Sequence, residues 1–63
     1  MTNQDSIVFD YIKDMSKSTK NIPINDVVVK LSQKISKDKI IITIEKLCDE
    51  GYLVEENGMV RVI

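Results

Sequence analysis

Apolar residues recur every three or four positions between Ser36 and Gly51, which is the spacing of one face of an α-helix. Ser36 can accept hydrogen bonds at the start of such a helix, and Gly51 can adopt the left-handed conformation that ends one. The β-branched run from Ile40 to Ile44 also suits a short buried strand, but the two caps and four turns favour a helix. Its apolar face comprises Ile40, Ile41, Ile44, Leu47 and Cys48. Five residues are predicted to point outward: Lys39, Ile42, Thr43, Glu45 and Lys46.

The first third of the chain predicts another helix followed by a polar loop. Thr2 and Asp5 resemble a weak capping pair, so this helix is predicted to begin between Asn3 and Asp5 and to run to about Met15. Its core stripe consists of Val8, Ile12 and Met15, with Ile7 and Tyr11 beside it. Residues 16–21 contain no apolar side chain and are predicted to form a loop.

A short strand and a second helix are predicted before the long apolar stripe. Residues 22–24, Ile-Pro-Ile, predict one or two residues of edge strand, because proline lacks the amide donor that an interior strand needs. Asn25 is predicted to cap a helix that begins at Asp26. The buried side of this helix consists of Val27, Val28 and Leu31. Since Ile35 closes the following turn, residues 25–51 have the helix, turn and helix spacing of a helix-turn-helix.

The last twelve residues predict a β-hairpin. Asn57 and Gly58 both tolerate the positive φ of a type I′ turn, which fixes the register of the two strands. This register pairs Glu56 with Met59, Glu55 with Val60, Val54 with Arg61, Leu53 with Val62 and Tyr52 with Ile63. It assigns Leu53, Val60 and Val62 to the core face, and Tyr52, Val54, Met59 and Ile63 to the opposite face.

The composition of the chain limits the functions that it can have. Sixty-three residues make one domain, 1–63, with room for a small core. With no His and one Cys, the chain alone cannot assemble a zinc site, a disulfide framework or a nucleophile–His pair. We therefore expect no catalytic residue, metal or cofactor, and no enzymatic activity. Without a secretion signal or a membrane-length apolar run, an intracellular protein is expected, nuclear if eukaryotic and cytoplasmic if archaeal, bacterial or viral.

Helix, short strand, helix, helix and a terminal two-stranded hairpin is the element order of a small α+β winged helix with one wing. Within this fold, SKDKIIITIEKLCDEGYLVEENGMVRVI resembles the C-terminal winged helix of minichromosome-maintenance helicase subunits, the fourth subunit in particular. The residues that carry this resemblance are Lys37-Asp38, Leu47, Asp49, Leu53 and Val60-Arg61.

The whole chain is also similar to the C-terminal winged helix of the middle subunit of replication protein A. The residues that carry this second resemblance are Ile12-Lys13, Asp26, Leu31, Ser36, Leu47, Glu50-Gly51 and the acidic wing pair Glu55-Glu56. Both resemblances imply an accessory module of DNA replication that binds partner proteins. They are more informative about the fold than about the function, because winged helices bind DNA, RNA or proteins with the same elements.

The first function that these observations favour is a non-enzymatic interaction module of the replication machinery, with at most weak DNA contact. Exposed apolar surface rimmed by charge is typical of an interaction site. We expect replication or repair proteins to dock there through a basic amphipathic segment, for example a helix. The alternative is that several apolar residues of this surface fill the small core. The predicted protein-binding residues are Ile42, Tyr52, Val54, Glu55, Glu56 and Met59.

The alternative is a small stand-alone winged-helix transcriptional regulator that binds duplex DNA. Lysines flank the predicted turn where a DNA-reading winged helix contacts phosphates, although a solvated lysine face is the simpler interpretation. A net charge of −1 and an acidic wing favour weak DNA binding. A natural start at Met1 would favour the regulator, and a longer parent chain the module. The predicted nucleic-acid-binding residues are Lys30, Lys34, Lys37, Lys39, Thr43, Lys46 and Arg61.

Overall fold

Three helices and one three-stranded antiparallel sheet make up residues 2–63, the part of the chain that this computed structural model describes. Met1, the first residue of the predicted domain, lies outside the described residues. The elements in chain order are α1 (Asn3–Met15), β1 (Ile22–Pro23), α2 (Ile24–Leu31), α3 (Lys37–Asp49), β2 (Leu53–Glu56) and β3 (Met59–Val62). The predicted α+β class is confirmed, and the element order is compatible with a small winged-helix-like fold.

Helix α1 begins with a capping box and is tied to α3 by an ion pair. The Thr2 side chain accepts the backbone N–H of Asp5 at 3.2 Å, and the Asp5 carboxylate accepts the backbone N–H of Thr2 at 3.2 Å. The same carboxylate oxygen accepts a hydrogen bond from Lys46 Nζ at 2.9 Å. Asp5 is therefore buried with its charge paired, and it joins the start of α1 to the last turn of α3.

Both ends of α3 are capped by the residues that the sequence indicates. Ser36 Oγ accepts the backbone N–H of Lys39 at 3.4 Å. At the other end Gly51 has φ +87°, and the backbone N–H of Tyr52 donates to the Leu47 carbonyl at 2.9 Å. This is the six-to-one bond of a Schellman motif, which stops the helix and turns the chain directly into β2. The predicted helix is confirmed.

The start of α2 differs from the prediction. The helix begins at Ile24, two residues before Asp26, and Asn25 lies inside its first turn instead of capping it. Pro23 occupies the cap position with φ −60° and makes no side-chain cap bond. The Ile24 N–H donates instead to the Gly58 carbonyl at 2.9 Å. The hairpin turn thus supplies a partner for one of the free N–H groups at the helix start, and β1 runs into α2 without a loop.

The sheet has the order β1-β3-β2, and the predicted hairpin register is confirmed over Leu53–Glu56. Asn57 and Gly58 have φ +54° and +77°, as a type I′ turn requires. Pro23 lies opposite Met59, between the bonded positions of Ile22 and Ile24, so its missing amide leaves no hydrogen bond of the ladder unmade.

The core lies where α1, α2 and α3 meet the inner face of the sheet. Its buried apolar residues are Val8, Ile12, Ile22, Val27, Val28, Leu31, Ile35, Ile40, Ile44, Leu47, Leu53 and Val60. One expectation needs correction. Thr43 is 6% exposed and does not point outward, because it lies three residues after Ile40 and four before Leu47, on the same helix face. Val62 and Cys48 are half-buried at the edge of the core.

None of the helices described for residues 2–63 has the length and apolar composition that crossing a bilayer needs.

Candidate functional site

A groove of about 290 Å³ lies between α3, the first residue of α2 and the inner face of β2. We call it the acidic groove, because it combines apolar residues with three carboxylates. Its lining residues are Ile24, Ile41, Ile44, Glu45, Cys48, Asp49 and Glu55. The acidic groove is the candidate functional site, and the elements around it hold its residues in place.

Helical spacing and strand register bring this lining together. Ile41, Glu45 and Cys48 are separated by four and three residues, so they follow one line along α3 beside the core stripe. Glu55 lies opposite Val60, which is fully buried, and therefore on the hairpin face that packs toward α3. The Glu55 carboxylate also accepts the backbone N–H of Gly58 at 3.0 Å, which holds it at the turn.

The groove carries uncompensated negative charge. Within residues 2–63, none of Glu45, Asp49 and Glu55 forms an ion pair, and no lysine or arginine is among the lining residues. The half-buried Cys48 thiol lies among these carboxylates. Its pKa is raised above the ordinary value first by desolvation and then by the negative charges of Glu55, Asp49 and Glu45. A cation entering the groove would therefore meet three carboxylates beside an apolar floor.

The six residues predicted to bind a protein partner do not form one surface. Val54, Glu56 and Met59 lie together on the hairpin face that points away from α3, around a pocket of about 180 Å³ that Lys20, Asn21 and Arg61 complete. We call this the outer hairpin face. Glu55 lies on the opposite face, since neighbouring strand residues alternate between faces. The predicted acidic rim of Glu55 and Glu56 is therefore split between two sides of the hairpin.

Tyr52 and Ile42 lie apart from that pocket. The Tyr52 ring packs edge-on against Phe9 of α1, with ring centroids 5.5 Å apart, and Lys13 Nζ lies 5.6 Å from the centroid of the Phe9 ring. Helix α1 therefore covers part of the surface assigned to a partner. Ile42 is 62% exposed on α3, and the outer hairpin face points away from this helix.

The seven predicted nucleic-acid-binding residues are also divided. Four are exposed around the turn between α2 and α3, namely Lys30, Lys34, Lys37 and Lys39. Thr43 is buried and therefore cannot contact a phosphate. Lys46 is paired with Asp5, and this pairing raises the Lys46 pKa. Arg61 lies on the outer hairpin face near Glu56.

The exposed side of α3 is acidic in its own right. Asp38, Ile42, Glu45 and Asp49 are exposed and follow one another at spacings of four, three and four residues. In a DNA-reading helix-turn-helix this face would approach the major groove, next to phosphates. Three carboxylates on this line oppose such an approach.

The acidic groove escaped the sequence prediction because it joins three separate elements. The apolar and acidic line from Ile41 to Cys48 was visible in the helical spacing, and the hairpin register already assigned Glu55 to the face of Leu53. The sequence does not indicate which side of α3 the hairpin approaches. Among residues 2–63, no three His, Cys, Asp or Glu side chains are arranged as a metal site.

No family model, curated protein or solved structure matches this chain.

Proposed function

We propose that the chain is a small winged-helix domain that acts as a non-enzymatic protein-interaction module of the DNA-replication machinery. The observation that carries this proposal is the acidic groove, which offers apolar floor residues beside three carboxylates that form no ion pair within residues 2–63. A protein segment with basic and apolar side chains complements both features, because charge steers its approach and burial of apolar surface holds it.

The replication context is supported by the sequence resemblances to minichromosome-maintenance subunits and to replication protein A. Several residues that carry those resemblances have structural roles in this fold. Ser36 caps α3, Leu47 accepts the Schellman hydrogen bond, and Leu53 is buried where β2 meets the core. Asp49 and Glu55, by contrast, line the acidic groove, so these two positions connect the resemblance to the proposed binding site.

Binding of duplex DNA by a stand-alone regulator is the second candidate, and it has one supporting observation. Lys30, Lys34, Lys37 and Lys39 are exposed, and none of them forms an ion pair within residues 2–63. The acidic side of α3 and the net charge of −1 oppose this function. We therefore expect at most weak and strongly salt-dependent binding to duplex DNA.

The two functions are separated by following backbone amide signals of the ¹⁵N-labelled chain during two titrations at near-physiological salt. The first titration adds a fluorescent duplex DNA, and the second adds basic amphipathic peptides from replication and repair proteins. We expect peptide binding to shift the amide signals of residues that line the acidic groove. Duplex DNA at micromolar concentration should not saturate the shift of any amide signal. A sub-micromolar dissociation constant for duplex DNA, with shifts at Lys30, Lys34 and Lys37, would reject the interaction module.

Two substitutions distinguish the two faces of the hairpin in the same titration. Glu45→Lys places a cation in the acidic groove, whereas Val54→Asp adds charge to the outer hairpin face. We expect Glu45→Lys to weaken peptide binding and Val54→Asp to leave it nearly unchanged. The reverse result would place the partner on the outer hairpin face, with Val54, Glu56 and Met59.

A further inference from the structure

The outer hairpin face is an open and partly apolar side of the three-stranded sheet. Val54 is half-buried on this face, and Met59 is 42% exposed. Pro23 of β1 lies opposite Met59 and extends the apolar surface to the third strand. Within residues 2–63, none of these three side chains belongs to the core or packs against it. The outer hairpin face therefore offers apolar surface that the fold itself does not use.

Two opposite charges accompany these apolar side chains. The strand register places Glu56 opposite Met59 and Val54 opposite Arg61, so Glu56 and Arg61 are diagonal neighbours. Both line the pocket of about 180 Å³ on this face, and neither forms an ion pair within residues 2–63. The four side chains therefore form a rectangle. One of its diagonals joins two apolar residues, Val54 and Met59, and the other joins two opposite charges.

We infer that the outer hairpin face binds the same face of a second copy of the chain, about a two-fold axis that follows the diagonal from Val54 to Met59. A two-fold rotation about an axis between the two sheets exchanges the ends of the other diagonal. Glu56 of each copy then lies opposite Arg61 of the other, while Val54 and Met59 contact their own counterparts. The strands of the two sheets cross at a large angle, as in orthogonal sheet packing.

The arrangement of charge on this face favours a second copy over a ligand of one charge sign. A purely basic or purely acidic segment would be attracted by one end of the charged diagonal and repelled by the other. A second copy complements both ends, because each contact of a two-fold interface occurs twice. Lys20 lines the same pocket and adds a further cation for Glu56 of the other copy. The acidic groove differs, since its charges share one sign and would repel a second copy.

The size of this face predicts a weak dimer. A standard protein interface buries about 800 Å² of each partner. The accessible surface of the chain is 4283 Å², so an interface of that size would take nearly a fifth of it. Two strands of four residues and one of two offer less than this. We therefore expect a dissociation constant in the micromolar range or weaker.

This dimer leaves both acidic grooves open to other partners. Glu55 and the groove lie on the side of the hairpin opposite Val54, so the grooves of the two copies are directed away from the interface. A partner protein with two basic segments could occupy both grooves at once. It would then bind the dimer more tightly than a single segment does, because the second contact forms at a high effective concentration.

The test is sedimentation equilibrium of the whole chain at concentrations up to about 1 mM, because a small interface binds weakly. We expect the parent chain to change reversibly from monomer to dimer. Glu56→Arg and Arg61→Glu each replace two attractive contacts of the dimer by two repulsive ones, and each should weaken dimerisation about tenfold or more. Asp10→Arg is the matched control, since it makes the same change in net charge as Glu56→Arg at an exposed position of α1. It should dimerise like the parent.

Mixing the two single variants gives a result that misfolding cannot imitate. The charged diagonal is wholly positive in Glu56→Arg and wholly negative in Arg61→Glu, so the mixture should form a heterodimer more tightly than either variant dimerises alone. A mixture that stays monomeric would overturn the inference, as would a monomeric parent chain or a dimer that Asp10→Arg weakens as much as Glu56→Arg does. Shifts of the Val54 and Met59 amide signals by a replication-protein peptide, without any dimer, would assign the face to a partner protein instead.

Discussion

Ile40→Ala is expected to destabilise the fold strongly, and Ile42→Ala is its internal control. The two isoleucines lie in the same helix, two residues apart, and both substitutions gain the same few tenths of a kcal/mol in helix propensity. Ile40 is 0% exposed in the core, whereas Ile42 is 62% exposed. The difference between the two variants therefore isolates the effect of burial.

The expected magnitude follows from the atoms removed. Shortening isoleucine to alanine deletes three buried carbons, which corresponds to about 2.4 kcal/mol of transfer free energy. The residual cavity adds to this, so the total lies at about 2.5 to 5 kcal/mol. A chain of this length has roughly 3 to 9 kcal/mol of unfolding free energy in all. Ile40→Ala is therefore expected to remove a large part of the stability, and Ile42→Ala less than about 0.5 kcal/mol.

Urea denaturation followed by circular dichroism measures both variants against the parent chain. The parent and Ile42→Ala should unfold at nearly the same midpoint, with Ile40→Ala at a much lower midpoint or unfolded without denaturant. Equal destabilisation by both substitutions would mean that α3 presents a different face to the core.

Two further substitutions test the ends of the fold. Hydrogen bonds from Lys46 and then from the Thr2 backbone hold the pKa of Asp5 below its ordinary value of 3.8. The Asp5 carboxylate therefore stabilises the fold above pH 3.8. This contribution disappears as the pH falls through the lower pKa of the folded state. Asp5→Asn should therefore reduce stability at neutral pH but not at the acid end, while the exposed Asp10→Asn serves as control; parallel stability curves against pH would contradict this. Gly58→Val should reduce the stability by about 1 to 2 kcal/mol, because valine resists the φ of +77° at this position. A Cβ there meets nothing within 4 Å, so the cost comes from the backbone conformation. An unchanged thermal midpoint would contradict the type I′ turn.

Local signals account for the parts of the fold that the sequence predicts correctly. Thr2 and Ser36 each cap a helix through an amide three residues away, and Asn57-Gly58 fixes the strand register within the hairpin itself. The start of α2 has no such signal. Its first N–H pairs with Gly58, which belongs to the distant hairpin, so the polar side chain of Asn25 wrongly suggested a local cap.

The candidate site was predictable only in fragments for the same reason. Strand alternation places Glu55 and Glu56 on opposite faces, and helical spacing aligns Ile41 with Cys48. Neither pattern shows that Glu55 and Cys48 line one groove. Pairing of Lys46 with Asp5 likewise depends on how α1 packs against α3, which hydrophobic periodicity does not determine. The burial of Thr43, by contrast, follows from its helical spacing to Ile40 and Leu47.

The pairing of β1 with β3 has a consequence for how the chain is made. Ile22 is buried beside Val60, so a strand synthesised early acquires its partner only after β3 has been synthesised. Until then the apolar side chains of Ile22 and Leu53 lack the cover that β3 provides. Such nascent chains are substrates for chaperones and are prone to aggregate. A chain cut after Glu56 would leave β1 and β2 without their shared strand partner, because β3 lies between them in the sheet.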